Sequence, residues 1–256
     1  MQAFLVVMVL GVVVGTLFDV VHKGSAKYFL ANMRKSKDKG RALASGELVS
    51  IAAQTAVVDV LASGEFCNAR RRVAHLLGMY GFVLYVIATA VMVFAYPTAA
   101  TATPAIWPAL WWIGGLMVLV GGYWFWFFIR VDVAAEGNTP LRLVKADLFV
   151  MSMLVSVTLG VIWAATGGRT GWLFWLYLLA TAVLFLGVPW SKFAHMFFKP
   201  AAAFDKRVAR ANGTAENLPT QTRDDPEQQR RHSMELLRDA PMDMGLGIKR
   251  EAPRHY

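Results

Sequence analysis

Two histidines have the placement that a bis-histidine haem site requires. His75 lies in the first turns of one long apolar segment, and His195 lies near the end of another. The two segments are expected to run in opposite directions, so that both imidazoles lie at one level near the same membrane surface. Because histidine is an axial ligand of haem iron, this pairing predicts a haem b whose iron is bound by His75 and His195.

Small and cationic residues accompany the two histidines. Gly78 follows the first histidine at i+3 and Ser191 precedes the second at i−4, so each is expected on the same helix face as its histidine. Small side chains there leave room for a flat macrocycle. Arg72 and Lys192 lie near the same interface, where haem propionates need cationic partners. The same residues are also typical of an ordinary membrane interface without haem.

Membrane helices are the elements that must position these residues. Hydrophobic residues make up 56% of the chain and charged residues 17%, and the apolar residues are gathered into blocks. A helix needs about 20 residues to cross a hydrocarbon core of about 30 Å. Five windows have that length, at 3–21, 73–96, 107–129, 147–166 and 172–198. No alternating ten-residue strands of a membrane barrel occur, so the sequence predicts an all-α bundle of five transmembrane helices.

The distribution of charge predicts the orientation of this bundle. Lys and Arg are concentrated between the first two apolar segments, whereas residues 98–106 carry no charge. The positive-inside rule then places the N-terminus outside and the C-terminus inside. The net charge of +9 has the same origin, and no nucleic-acid partner is expected because no recognition motif accompanies it. The predicted divisions are a first transmembrane helix (1–22), a basic cytoplasmic loop (23–72), a four-helix membrane region carrying haem (73–198) and a polar cytoplasmic tail (199–256).

Local patterns add detail to this organisation. Residues 47–61 (ELVSIAAQTAVVDVL) favour a short helix that lies on the membrane or against a partner. The tail is polar from about residue 205 and is expected to lack a core of its own. The third apolar segment contains GGLMVLVGG, which is typical of close helix contact. Aromatic residues at the outer helix ends are interpreted as interfacial anchors: Tyr96, Trp107, Trp111, Trp112 and Trp172.

The sequence excludes several other redox groups. Cys67 is the one cysteine of the chain, so this chain alone forms no disulfide and holds no iron–sulfur cluster on several thiolates. A glycine-rich nucleotide fingerprint, a Walker loop and an HExxH pair are all lacking. Haem is therefore the electron carrier predicted for this chain.

The first apolar segment offers candidates for quinone chemistry. Gly11, Gly15 and Asp19 follow one another at a spacing of four, and His22 comes three residues later. One helix face thus combines small residues with ionisable ones, and an ionisable residue inside a membrane segment is a functional candidate. Asp19 or His22 is expected either to exchange protons with a quinone or to pair with a cation at the same surface. His22 is also an alternative to either haem ligand.

Two segments carry a family resemblance. RRVAHLLGMYGFVLY and VPWSKFAHMFFKP resemble the second and fifth helices of the gamma subunit of respiratory nitrate reductase and related membrane cytochromes, including those of sulfite-reductase-linked and heterodisulfide-reductase-like complexes. In that family two histidines on each of these helices hold two stacked haems b, and His75 and His195 match the cytoplasmic pair. At the positions of the outer pair this chain has Leu84, Tyr85 and Tyr177. The resemblance therefore implies one haem b.

Within this group, the segment GEFCNARRRVAHLLGMYGFVLYV and the small five-helix size make the chain most similar to the membrane anchor of adenylylsulfate reductase in sulfur-oxidising bacteria. The resemblance implies a subunit of the bacterial inner membrane that relays electrons between cytoplasmic iron–sulfur and flavin subunits and membrane quinone. The alternative is an anchor without haem that tethers a soluble complex. A transporter is disfavoured because inverted repeats and broken helices with central charges are not evident in the sequence.

Overall fold

The computed structural model describes residues 1–22, 24–64, 69–98, 100–130, 141, 143–144, 147–191, 196, 198–215 and 218. Within these residues the regular structure is helical and includes no strand. The helices are α1 (Gln2–His22), α2 (Ser25–Lys39), α3 (Ser45–Gln54) with a π-helical continuation (Thr55–Leu61), α4 (Ala69–Ala95), α5 (Ile106–Trp124) with a π-helical end (Phe125–Ile129), α6 (Leu148–Ala165), α7 (Trp172–Gly187) with a 3₁₀ turn (Val188–Trp190), and α8 (Lys199–Ala211).

Five of these helices are long and apolar enough to cross a membrane: α1, α4, α5 with its π-helical end, α6, and α7 with its 3₁₀ turn. The predictions of an all-helical chain and of five membrane-spanning segments are therefore confirmed. The chain is a multi-pass membrane protein by these criteria.

The fifth segment ends earlier than its hydrophobicity predicts. The apolar window extends to residue 198, yet α7 ends at Gly187 and the 3₁₀ turn ends at Trp190. Pro189 lacks the N–H that an α-helix would need at this point. Ser191 follows with an extended backbone (φ −96°, ψ 170°). The apolar segment is therefore longer than the helix that it forms.

The chain divides into two compact units, and the first contains the five membrane-spanning helices. Its core is a cluster on α4 to α7 that includes Tyr85, Val118, Val157 and Leu184. Glycines permit the closest helix contacts. A Cβ atom at Gly81 of α4 would lie 2.8 Å from the Gly114 carbonyl oxygen of α5. The predicted packing role of the GGLMVLVGG glycines is confirmed.

α1 packs on α7 through two glycines. A Cβ atom would lie 2.5 Å from Leu186 Cδ2 if added at Gly11, and 2.6 Å from Pro189 Cγ if added at Gly15. The absence of both side chains therefore lets the helices approach. Asp19, four residues beyond Gly15, is buried, with 7% of its surface exposed.

The second unit contains the α3–π helix and α8. Arg207 of α8 joins them, because its guanidinium donates two hydrogen bonds to the Asp59 carboxylate (2.8 and 3.0 Å) and a third to Gln54 Oε1 (3.2 Å). The predicted helix at 47–61 is confirmed. The tail was expected to lack a core of its own from about residue 205. Its first part is helical, since α8 reaches Ala211, and both Ala209 and Asn212 are buried. The tail segment 229–238 lies outside the described residues.

A second ion pair fixes the start of α3. Arg41 forms two hydrogen bonds with the Glu47 carboxylate (2.6 and 3.1 Å) and a third with the Ala211 carbonyl oxygen (3.1 Å). The Arg41 hydrogen bonds, with help from the Ala44 N–H, lower the pKa of Glu47 to about 2. A lowered carboxylate pKa contributes stability above the ordinary pKa of glutamate, and that contribution is lost as the pH falls towards about 2.

The substitution Arg207→Ala is expected to loosen α8 from the α3–π helix. It leaves the Asp59 carboxylate, whose side chain is 15% exposed, without its bidentate partner, and hydrogen bonds to charged groups contribute about 1.5–3 kcal/mol. Amide hydrogen exchange of residues 55–61 and 199–211 in the full-length protein should become at least about tenfold faster, equivalent to about 1.4 kcal/mol. Arg210→Ala, an exposed site on the same helix, is the matched control. Equal exchange in both variants would contradict this role for Arg207.

Candidate functional site

Of the two predicted haem ligands, the structure describes only His75. His75 lies in the second turn of α4 and is exposed, with the half-buried Arg72 three residues before it. Both residues take part in contacts with other groups of the chain. His195 and Lys192 lie outside the described residues. The α4 half of the predicted site can therefore be built from its neighbours.

The face of α4 that carries His75 is turned towards α7. Phe82, seven residues after His75, has its ring centroid 6.2 Å from that of Phe185. Positions i and i+7 share a helix face, so His75 points to the same side of α4. A Cβ atom added at Gly78 would meet no atom within 4 Å. There is consequently free space beside Gly78.

The register between α4 and α7 sets the level of His75. Two contacts define the antiparallel pairing: Phe82 with Phe185, and Tyr85 with Tyr177. Continuing this register along α4 by two to three turns brings His75 to the level at which α7 ends, because paired helices rise equally per residue. The end of α7 thus lies at the level of His75.

The backbone at Ser191 departs from a regular helix. This residue was expected one helical turn before His195, but its backbone is extended and lies beyond the helix end. Its hydroxyl donates to the Val188 carbonyl oxygen at 2.9 Å and so closes the 3₁₀ turn. His195 lies outside the described residues, so the role of Ser191 at the haem stays a prediction.

Further along the two helices, a tyrosine pair closes the space between α4 and α7. The hydroxyl oxygens of Tyr85 and Tyr177 lie 2.8 Å apart, and both side chains are buried. The Tyr85 ring also packs on Trp111, with centroids 4.8 Å apart. These tyrosines occupy the two positions at which the resemblance placed the missing outer ligands. At this level the helices touch through their side chains, and no room for a macrocycle is left between them.

Neighbouring residues support the tyrosine pair. The Thr181 hydroxyl donates to the Tyr177 carbonyl oxygen and lies 2.8 Å from the Ser156 hydroxyl. A Cβ atom at Gly160 of α6 would lie 2.5 Å from the Tyr85 hydroxyl and 2.9 Å from the Tyr177 ring. Gly160 therefore makes the space that the two phenols fill, and three helices meet at this point.

The two quinone candidates differ in their surroundings. Asp19 is buried on the face of α1 that packs against α7, and it interacts with another group of the chain. His22 is exposed, and its ring stacks on Phe18 with centroids 5.4 Å apart and planes at 7°. The carboxyl group is thus enclosed within the membrane unit, whereas the imidazole lies on its surface.

A cleft of about 720 Å³, which sequence reasoning missed, opens at the opposite end of the bundle from His75. Aromatic side chains dominate its lining, among them Tyr96, Trp111, Trp112, Trp163, Phe174 and Tyr177. Trp111 was expected to be an interfacial anchor, but it is 6% exposed because it stacks on Tyr85. Trp172 is 75% exposed, as expected for an anchor. The cluster of aromatic residues at three helix ends was the available signal for the cleft.

Among the described residues, no group of three or more His, Cys, Asp and Glu side chains is arranged to hold a metal ion. A bis-histidine haem needs only two such ligands, and one of the predicted two is described. The residues around His75 fit one side of a haem: an imidazole, free space at Gly78 and a nearby guanidinium. Comparison with family models, curated proteins and solved structures finds no match for this chain.

The contact of Gly160 with the two tyrosines can be tested by a double-mutant cycle. Gly160→Ala should lower the thermal midpoint of the detergent-purified protein, because overpacking costs about 1–3 kcal/mol. Tyr85→Phe alone should cost less, about 0.6 kcal/mol for a hydrogen bond between membrane helices. In the double variant the missing hydroxyl relieves the clash, so the loss should be smaller than the sum of the two.

Gly187→Ala is the matched control, because a Cβ atom there meets only Leu148, at 4.0 Å. Strictly additive losses in the double variant would show that the alanine does not press on the Tyr85 hydroxyl.

Proposed function

We propose that this chain is a membrane-anchoring b-type cytochrome subunit that relays electrons between a cytoplasmic iron–sulfur and flavin enzyme, adenylylsulfate reductase, and quinone in the bacterial inner membrane. The observation that supports it best is the contrast between two levels of the α4–α7 pair. At one level His75 faces α7 beside free space at Gly78, and at the other the Tyr85 and Tyr177 hydroxyls meet. This contrast is what one haem, rather than two, requires.

In this proposal His75 and His195 hold the haem iron. Arg72 and Lys192 compensate the propionate charges, and Gly78 leaves room for the ring. Bound haem supplies one-electron transfer, and the protein tunes it through the axial ligands and the polarity of the site. The N-terminus lies outside, so that His75 and the basic segment 23–72 face the cytoplasmic enzyme.

Asp19 is proposed to exchange the protons that accompany quinone reduction. Its burial on the α1–α7 contact face gives it access to a site inside the bundle, and ionisable residues in membrane segments mark proton pathways. The His22 imidazole lies at the surface, stacked on Phe18, and is the weaker of the two candidates.

The second candidate function is an anchor without haem. The early end of α7 at Gly187 favours it, because the regular helix that was expected to present His195 is already interrupted at Ser191. Such an anchor would tether the soluble complex and leave electron transfer to other chains. The two functions differ in one measurable property, the haem content of the purified chain.

The haem ligands can be tested by visible spectroscopy of the purified full-length protein. The wild type should contain about one haem b per chain, measured as the pyridine haemochrome, and His75→Ala and His195→Ala should each abolish haem retention. A bis-histidine site loses a coordination bond in either variant. His22→Ala is the matched control and should keep its haem.

Haem retained in full by either variant would remove that histidine from the ligand set. Loss of haem in His22→Ala would assign His22 as a ligand instead. A colourless wild type with intact assembly of the soluble complex would establish the anchor.

The role of Asp19 can be separated from haem binding. Asp19→Asn should slow quinone reduction by at least about tenfold, because general acid–base groups contribute about 10²–10⁴-fold. Reduction of the haem by the soluble enzyme should remain unchanged. Asp38→Asn, at an exposed position of α2, is the control. An unchanged rate of quinone reduction in Asp19→Asn would place proton exchange at another residue.

A further inference from the structure

The α3–π helix exposes an apolar face. Six aliphatic residues form this face, and each is between 36% and 67% exposed. They lie outside the membrane-spanning segments, and their side chains make no polar contact with α8. They are Leu48, Val49, Val57, Val58, Val60 and Leu61. The exposed Ala52, Ala53 and Ala56 lie between them, so the apolar face runs along the α-helix and into the π-helix.

The opposite face of the same helix is the polar one, and it is covered. Glu47, Ile51, Thr55 and Asp59 follow one another at a spacing of four and are buried or half-buried. Asp59 binds Arg207, and Glu47 binds Arg41. The loose winding of the π-helix keeps this spacing on one side of the helix. A water-soluble helix pair would bury most of its apolar side chains, whereas here the aliphatic residues named above are exposed and both acidic residues of the helix lie on the covered side.

The chemistry of the apolar face disfavours a membrane surface as its occupant. Helices that lie in the membrane interface carry Lys and Arg on the polar face and aromatic residues at the boundary. Residues 45–61 contain no Lys, Arg, Trp, Tyr or Phe. The two acidic groups of the helix are paired with Arg41 and Arg207. The helix thus offers an apolar surface without the groups that lipid headgroups attract.

The chain around this helix is basic. Residues 29–64 and 199–215 contain nine Lys and Arg against four Asp and Glu. The net charge of these segments is therefore positive, whereas the apolar face itself carries no charged side chain. A partner that fits would present an apolar groove bordered by carboxylates, because complementary charge at the rim speeds association and selects the partner.

We propose that the apolar face of the α3–π helix, defined by Val49, Val57 and Leu61 with their neighbours, is the docking surface for the acidic soluble subunit that exchanges electrons with this chain. This inference rests on the proposed function, since that function supplies the partner. Recognition would be of the kind in which a helix lies in an apolar groove. Arg207 and Arg41 act as positioning residues, because their ion pairs turn the apolar face outward.

The test uses membranes that contain the full-length chain and the purified flavin and iron–sulfur adenylylsulfate reductase as the probe. Membranes of the wild type should retain the reductase on sedimentation. Val49→Asp and Val57→Asp should each weaken retention at least about tenfold, because a charge in the apolar centre has no partner in the groove. Ala202→Asp, at an exposed site on α8, is the matched control and should retain the reductase.

A second measurement does not depend on a destabilising substitution. A photo-reactive benzoylphenylalanine at position 49 or 57 should crosslink to the iron–sulfur subunit, and the same group at position 202 should not. Haem content is measured in every sample. Crosslinks to lipid or to a second copy of this chain, or unchanged retention in both aspartate variants, would overturn the docking surface while leaving the cytochrome function standing. Wild-type membranes that carry haem yet retain no reductase would overturn both the docking surface and the proposed partner.

Discussion

The hydrogen bond between the Tyr85 and Tyr177 hydroxyls is the interaction on which the centre of the bundle depends. The helices around it are apolar on nearly every face, so hydrophobicity alone does not choose which faces meet inside a membrane. Two buried hydroxyls determine which faces meet, because each needs a hydrogen-bond partner and the other hydroxyl provides it. Gly160 supplies the space and Trp111 covers one ring. α4 and α7 are joined at this level. Towards one end of the pair, His75 lies beside free space at Gly78. Towards the other end, an aromatic cleft opens.

Two helices of the second unit are held together by polar contacts. The α3–π helix and α8 are joined by the ion pair of Arg207 with Asp59 and by Arg41, which binds Glu47 of α3 and the Ala211 carbonyl oxygen of α8. Much of the aliphatic surface of the α3–π helix lies outside this contact. Polar contacts of this kind specify one geometry and contribute less net stability than a well-packed apolar contact would. A unit built in this way gains most when another surface covers its apolar side. Its architecture is therefore that of a module prepared for assembly.

Hydropathy was sufficient to predict the five membrane segments, because twenty consecutive apolar residues have few other uses. Glycine spacing likewise predicted close helix contacts on the first and third apolar segments, although it did not identify α7 and α4 as the partners. Sequence reasoning failed where one residue overrides a pattern. Pro189 ends α7 inside an apolar window, and Trp111 turns inward because Tyr85 offers it a stacking partner. The pairing of Arg207 with Asp59 joins residues 148 positions apart, and a local pattern carries no information on such a contact. The sequence placed His75 and Gly78 on a helix, and the structure shows both on α4, while the assignment of this site to haem stays a prediction.

The contact of α1 with α7 has a consequence for how the protein is made. The two helices are separated by about 150 residues of chain, and ribosomes add about 5–20 residues per second, so α1 waits roughly 10–30 s in the bilayer before its packing partner is synthesised. During that interval Gly11 and Gly15 have no helix to fill their groove, and Asp19 lacks the cover of α7. Closure of the bundle is thus a late event in biogenesis, completed by the joining of its first and last spans.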